Sequence, residues 1–138
     1  MGFFSKKPKY PELASHDRAA ELVQNVEAPL QELMGQVSDP LEVVPADDHA
    51  YVFIGKPPKK FGVATIEQGK VQSFVAEAKE KGLDQARIQL LNEQLRDAYS
   101  HNMDAQRYKT NVAGKEVVVT PCAQLDQEIS QIMSSMCN

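Results

Sequence analysis

Residues 41–74 read LEVVPADDHAYVFIGKPPKKFGVATIEQGKVQSF, and their pattern decides the fold. Residues 41–44 are apolar enough for a short strand, and Pro45 stops it because proline has no N–H to give a ladder. Ala-Asp-Asp-His at 46–49 has turn chemistry. Residues 51–54 form an apolar, β-rich run, and Phe61, Val63 and Thr65 alternate with Gly62, Ala64 and Ile66. The intervening Gly-Lys-Pro-Pro-Lys-Lys is a loop by its glycine and prolines. Glu67-Gln68-Gly69-Lys70 is a second turn, and residues 71–73 suit a third strand. The stretch predicts an antiparallel meander of two or three strands.

Outward from the meander, helical periodicity takes over. Ala19, Val23, Val26, Leu30, Leu33 and Val37 keep the 3–4 spacing of an amphipathic helix over 15–37, with Ser15 as its cap. Pro29 lies inside that pattern, so two short helices or one bent helix are expected. On the other side Ser73 caps a helix that ends at Lys79, Lys81 and Gly82. Asp84 caps a longer one whose buried face is Ile88, Leu91, Leu95 and Ala98. Residues 108–112 and 116–119 read as two more strands, and three consecutive valines place the second centrally. Thr120 and Pro121 look like the cap and first residue of a last helix carrying Leu125, Ile129, Ile132, Met133 and Met136.

The fold class is therefore α+β. An antiparallel sheet of about 4–5 strands is expected, with helices packed on one face. The order is helix, two or three strands, two helices, two strands, helix. Residues 1–11 form a flexible basic arm, and 12–138 a single domain. In broad order this layout resembles the profilin-like and Roadblock-like folds. That resemblance is one of topology, carried by no residue motif, and it implies no function.

Composition removes several function classes. The net charge of −4 argues against a general nucleic-acid binder, so no specific nucleic acid is expected. No apolar run approaches the ~18 residues of a membrane span, and no apolar leader opens the chain. A cytoplasmic protein is expected. Phe3, Phe4 and Lys6 allow at most a weak peripheral membrane contact. The cysteines, Cys122 and Cys137, are too few and too distant for a disulfide scaffold or a structural zinc site. No cofactor and no metal are expected. Asp47, Asp48 and His49 read as a turn, since no partner carboxylate stands at a useful spacing.

Charge is unevenly placed. Residues 12–48 carry nine acids against one arginine, while 49–81 carry six lysines against three glutamates. Lys56, Lys59 and Lys60, with Lys70 nearby, form a basic patch that suits an acidic partner. The outer helical face with Glu21, Glu27 and Glu32 suits the same patch on a second copy, giving a homodimer. No catalytic motif is present, so the sequence gives no reason to assert catalysis. The leading expectation is a small non-catalytic interaction or adaptor module, self-associating or bound to another protein through Lys56, Lys59 and Lys60.

Two alternatives remain. Cys122 sits in the first turn of the last predicted helix, where unpaired amides stabilise a thiolate; that points to a thiol-dependent redox or sulfur-handling protein. The third expectation is a sensory domain holding a small ligand between sheet and helices.

Overall fold

The computed structural model describes residues 10–136. Its centre is β1 (Leu41–Pro45), a strand of five residues that are all buried. Hairpins then carry the chain outward through β2 (His49–Lys56), β3 (Lys60–Glu67) and β4 (Lys70–Ser73). Two helices follow, α3 (Phe74–Glu80) and α4 (Gln85–His101). They return the chain to the other side of β1, where β5 (Tyr108–Val112) and β6 (Lys115–Val119) form a last hairpin. Two helices precede the sheet, α1 (Arg18–Asn25) and α2 (Glu27–Gln36), and α5 (Ala123–Ser135) follows it. None of the helices among the described residues is long and apolar enough to cross a membrane. Phe3, Phe4, Lys6 and Cys137 lie outside the described residues.

The strand order is β4-β3-β2-β1-β6-β5. Six strands replace the expected four or five, and the sheet is mixed rather than antiparallel. The exception is β1 with β6, which pair in parallel with Glu42 opposite Val118 and Val43 opposite Val119. One parallel pair needs only a long crossover, and the β2–β4 meander with two helices supplies it. The valine run lies inside the sheet as expected.

Helices cover both faces, not one. Ala19, Val23, Leu30 and Leu33 of the first two helices pack on Leu41, Val43, Val52, Ala64, Ile66, Val117 and Val119. Phe74, Ala78, Ile88, Leu91, Leu95, Leu125 and Ile129 pack on Val44, Tyr51, Phe53 and Val63 from the opposite side. The reason is visible in adjacent pairs: Val43-Val44, Val52-Phe53 and Val63-Ala64 are all buried, and neighbours on a strand point to opposite faces. Each such buried side chain contributes ~1.5–3 kcal/mol, so leaving one face bare is costly.

Local chemistry sets the helix ends. A Pro29 ring inside a continuous helix would strike the Asn25 carbonyl, and α1 ends at Asn25. Pro29 then falls in the first turn of α2, where no N–H is required. Asp17, not Ser15, caps α1 by accepting from Ala19 N at 2.8 Å. Ser73 and Asp84 cap the third and fourth helices as expected. Thr120 caps nothing, because its hydroxyl donates to Glu42; α5 starts at Ala123, with Cys122 as its N-cap residue.

Glu42 is a carboxylate in the central strand, only 8% exposed. Tyr99 Oη donates to its Oε1 at 2.6 Å. Arg107 Nε donates to Oε2 at 2.8 Å, and Thr120 Oγ1 donates to the same oxygen. Arg107 is 5% exposed and also donates to the Met103 and Ala105 carbonyls at 3.0 and 3.1 Å. Burial, and then the neighbouring Glu42 charge, push the Tyr99 phenol above its ordinary pKa, so it remains a donor. Replacing Glu42 with Gln leaves the Arg107 charge buried and unpaired. Urea unfolding of Glu42→Gln should show a loss of ~3–5 kcal/mol. Adding Arg107→Met to Glu42→Gln should recover part of it, because no buried charge is then left unpaired and the amide oxygen still accepts from Tyr99 or Thr120.

Candidate functional site

The β2–β3 hairpin carries the predicted basic residues. Lys56 and Lys60 stand opposite each other in register, and both are exposed. They rim a cleft of about 480 Å³ lined also by Asp39, Pro40, Ile54, Gly55, Phe61 and Gly62. Its floor is Ile54 and Gly62, register partners on the face that α2 covers further along the sheet. Gly62 is exposed, and a Cβ placed there meets nothing within 4 Å. A side chain would fill the floor without strain; its absence leaves the backbone open to a ligand. Gly55 has a different reason for being glycine. Its φ is +113°, and an added Cβ would lie 2.9 Å from the Lys60 carbonyl oxygen.

Among the described residues neither Lys56 nor Lys60 forms an ion pair. Lys115 adds a third cation beside the cleft, with Nζ donating to the Asp39 carbonyl at 3.1 Å. Lys59 is exposed at the tip but does not line the cleft. The loop is held by Arg96 of α4, which donates from Nε to Pro58 O at 2.7 Å and from Nη2 to Lys59 O at 3.4 Å. The Arg96 guanidinium also lies 5.6 Å from the Phe61 ring centroid. Lys70 does not join the patch. It stands opposite Glu67 in register, at the far end of β3 from Lys60, seven steps of ~3.3 Å away. The meander turns back only once β3 is complete, so neighbours in sequence become opposite ends.

The strand edge beside the cleft is open. β4 pairs only with residues 64–67 of β3, so the outer side of residues 60–63 has no strand partner among the described residues. The opposite sheet edge is partly covered: Lys109 of β5 bonds Pro11 O and is bonded by Leu13 N, both at 2.9 Å.

Cys122 is half-buried and free of any disulfide. Its thiol donates to Asn102 Oδ1 at 3.6 Å, and the Asn102 amide donates to Ala98 O and to Glu128 Oε2. Among the described residues no histidine hydrogen-bonds the sulfur, so this arrangement supplies no base for it. The apolar stripe of the first two helices packs on this chain's own sheet, with Leu30 and Leu33 buried and Val26, Met34 and Val37 partly so. Of the acids proposed to meet a second copy, Glu21 pairs with Arg18 at 2.8 Å and Glu27 accepts from Gln31 at 3.1 Å.

Residues 47–49 do more than turn. Arg18 pairs with Asp47 at 2.9 Å. His49 Nδ1 lies 2.7 Å from Asp48 Oδ1, and Nε2 lies 2.6 Å from Asp126 Oδ1 on α5. Both partners are acceptors, so both nitrogens donate only in the protonated ring. No cluster of three metal-ligating side chains exists among the described residues. Asp126, 77 positions from His49, is the member that sequence spacing misses. Comparison with protein families, with curated proteins and with solved structures finds no match.

Burial alone would lower the His49 pKa, but the Asp126 and Asp48 carboxylates outweigh it and hold the value above the ordinary one. Glu67 is its register partner across β3 and adds negative charge; the Tyr51 ring packs 4.9 Å away. A raised histidine pKa gives stability that is present at low pH and is lost as pH rises through the folded value. Asp126→Asn should therefore destabilise the protein more near about pH 6 than near about pH 8, as read by urea midpoints across a pH series. An equal loss at both pH values would mean that the latch carries no charge.

Proposed function

We propose that this chain is a small, non-catalytic interaction module that binds an extended acidic segment of a protein partner along the β2–β3 hairpin. The observation that carries this reading is the adjacency of three features. A glycine-floored cleft, Lys56 and Lys60, which form no ion pair among the described residues, and an unpartnered stretch of strand edge meet at this end of the hairpin. An extended segment can add to the edge through its backbone, seat an apolar side chain over Gly62 and Ile54, and place carboxylates by Lys56 and Lys60. Lys59, exposed at the hairpin tip and outside the cleft lining, contributes long-range attraction more than contact. Nothing lining the cleft forms an acid–base pair or a nucleophile–base pair, which is why a binding role is preferred to a reaction. Cys122 as a free thiol fits a reducing, cytoplasmic setting. A second copy could present Glu32 as the acid, but its apolar stripe is already buried, so another protein is the better partner.

A concrete probe is a synthetic hexapeptide of alternating Glu and Leu, titrated into ¹⁵N-labelled protein. Saturable shifts are expected at the amides of Ile54, Gly55, Lys60 and Gly62, weakening as salt rises. Lys56→Glu with Lys60→Glu should weaken binding at least ~10-fold, the scale of two lost charged contacts. Gly62→Val should abolish it while the fold stays intact, since valine suits a strand and meets no neighbour. Binding that survives Gly62→Val would reduce the lysines to a solvated hairpin tip and end the proposal.

A further inference from the structure

The lysine loop is held from behind. Arg96 reaches it from α4, whose Leu91, Leu95 and Ala98 are buried. The side chain therefore grows from a helix that the core has already fixed. Its Nε donates to Pro58 O at 2.7 Å and its Nη2 to Lys59 O at 3.4 Å, while Nη1 donates to Glu93 Oε1 at 2.6 Å. The guanidinium also lies over the Phe61 ring, 5.6 Å from its centroid, in cation–π geometry. Phe61 lines the lysine cleft. Its ring centroid stands 5.5 Å from that of Phe53, and Phe53 stands 4.9 Å from Tyr99, which donates to Glu42. A continuous series of contacts thus runs from the hairpin tip to the central strand.

We infer that Arg96 is a positioning residue for the lysine cleft: it fixes the loop between Lys56 and Lys60 so that both stand ready for an acidic segment. The inference rests on the partner reading above. It adds a residue that lies behind the hairpin and outside the cleft lining.

Ordering a loop and two flexible lysines against a partner costs entropy at the moment of binding. A loop backbone fixed beforehand removes its share of that cost. Lys59 N donates to Lys56 O at 3.1 Å across the turn, and Arg96 takes up the next two carbonyls, those of Pro58 and Lys59. Arginine suits this task. Its planar fork bonds two successive carbonyls and lies on the Phe61 ring at once, whereas a lysine ammonium is a point charge without a plane. The Arg96 charge is already engaged by Glu93 and the two carbonyls, so it is not aimed at the partner. Lys56 and Lys60 attract the acidic segment; Arg96 sets where their backbone stands.

The test uses the full chain and the Glu-Leu hexapeptide. Two variants separate geometry from charge: Arg96→Lys keeps the charge, and Arg96→Met keeps the apolar stem. The Arg96 side chain is 31% exposed, so neither opens a sealed core. Amide hydrogen exchange in Arg96→Met should be at least ~10-fold faster at Lys59, the scale of one lost charged hydrogen bond. It should be unchanged at Val52 and Ala64, register partners farther along the same hairpin. The peptide should bind Arg96→Met at least ~10-fold more weakly. Arg96→Lys should recover less than the full affinity, with the salt dependence of the unaltered chain, because Lys56 and Lys60 are intact. Equal binding by Arg96→Met and the unaltered chain would end the positioning role and leave the partner reading standing. So would full affinity in Arg96→Lys, since charge alone would then suffice, and so would weaker binding without faster exchange at Lys59. A peptide that fails to bind the unaltered chain removes the partner reading, and Arg96 then has nothing to position.

Discussion

A carboxylate in the middle of the central strand is the constraint to which the rest of this structure answers. Glu42 cannot stay ionised there without donors, and it collects them from three separate places. Tyr99 comes from the fourth helix, Arg107 from the loop after it, and Thr120 from the junction between β6 and α5. These are also the segments that must come together for β6 to lie beside β1. The parallel seam itself is short, two register pairs with one further bond from Thr120 N to Val43 O at 2.8 Å. Thr120 therefore holds β1 twice, by backbone and by side chain. An apolar seam would tolerate a slip of the β5–β6 hairpin; a charge with three fixed donors would not. Fixing register is the best-attested role of buried ion pairs, and three donors from three segments fit that role here.

The sequence made the local structure legible and left the long-range structure obscure, for one physical reason. Turns, caps and strand alternation are decided by residues a few positions apart. Ser73, Asp84, Gly82 and Pro29 all behave as their local chemistry demands. The pairing of β6 with β1 joins segments about 75 positions apart, and no local pattern encodes it. The second covered face was encoded, in the adjacent buried pairs Val43-Val44, Val52-Phe53 and Val63-Ala64. The expectation of helices on one face left it out, although the apolar run at 51–54 and the three valines at 117–119 already pointed to strands buried on both sides. Glu42 is also readable in retrospect: an acid between Leu41 and Val43 in a strand without exposed positions must be paired. Its partner 65 positions away could not be named.

The candidate site divides in the same way. Lys56 and Lys60 were visible as charge, and the structure brings both to one cleft. Lys70 was grouped with them because it is near in sequence, yet the hairpin carries it to the other end of the sheet. Gly62, Thr65 and Gln72 carried no signal as single residues. Their meaning comes from register: Gly62 opposite Ile54 makes a floor, and Thr65 between Tyr51 and Gln72 makes a polar row.

The lysine cleft is built on β2 and β3, and this explains why charge alone is a poor guide to it. Lysines at a hairpin tip raise encounter rates with any acidic surface, but a flexible ammonium does not place a partner. Placement needs groups whose geometry the sheet fixes. On one face that group is Gly62, where a missing side chain opens the backbone. On the other face Thr65 stands in a cross-strand row with Tyr51 and Gln72, its hydroxyl covered and without a partner among the described residues. The two are three residues apart, an odd number, so the strand's alternation sends them to opposite faces. The strand thus supplies Gly62 to the floor of the lysine cleft and Lys60 to its rim, and β2 supplies Ile54 and Lys56. In the binding reading proposed above, selection rests on what β3 withholds from the packing, and the lysines around the cleft set how fast and at what salt a partner arrives.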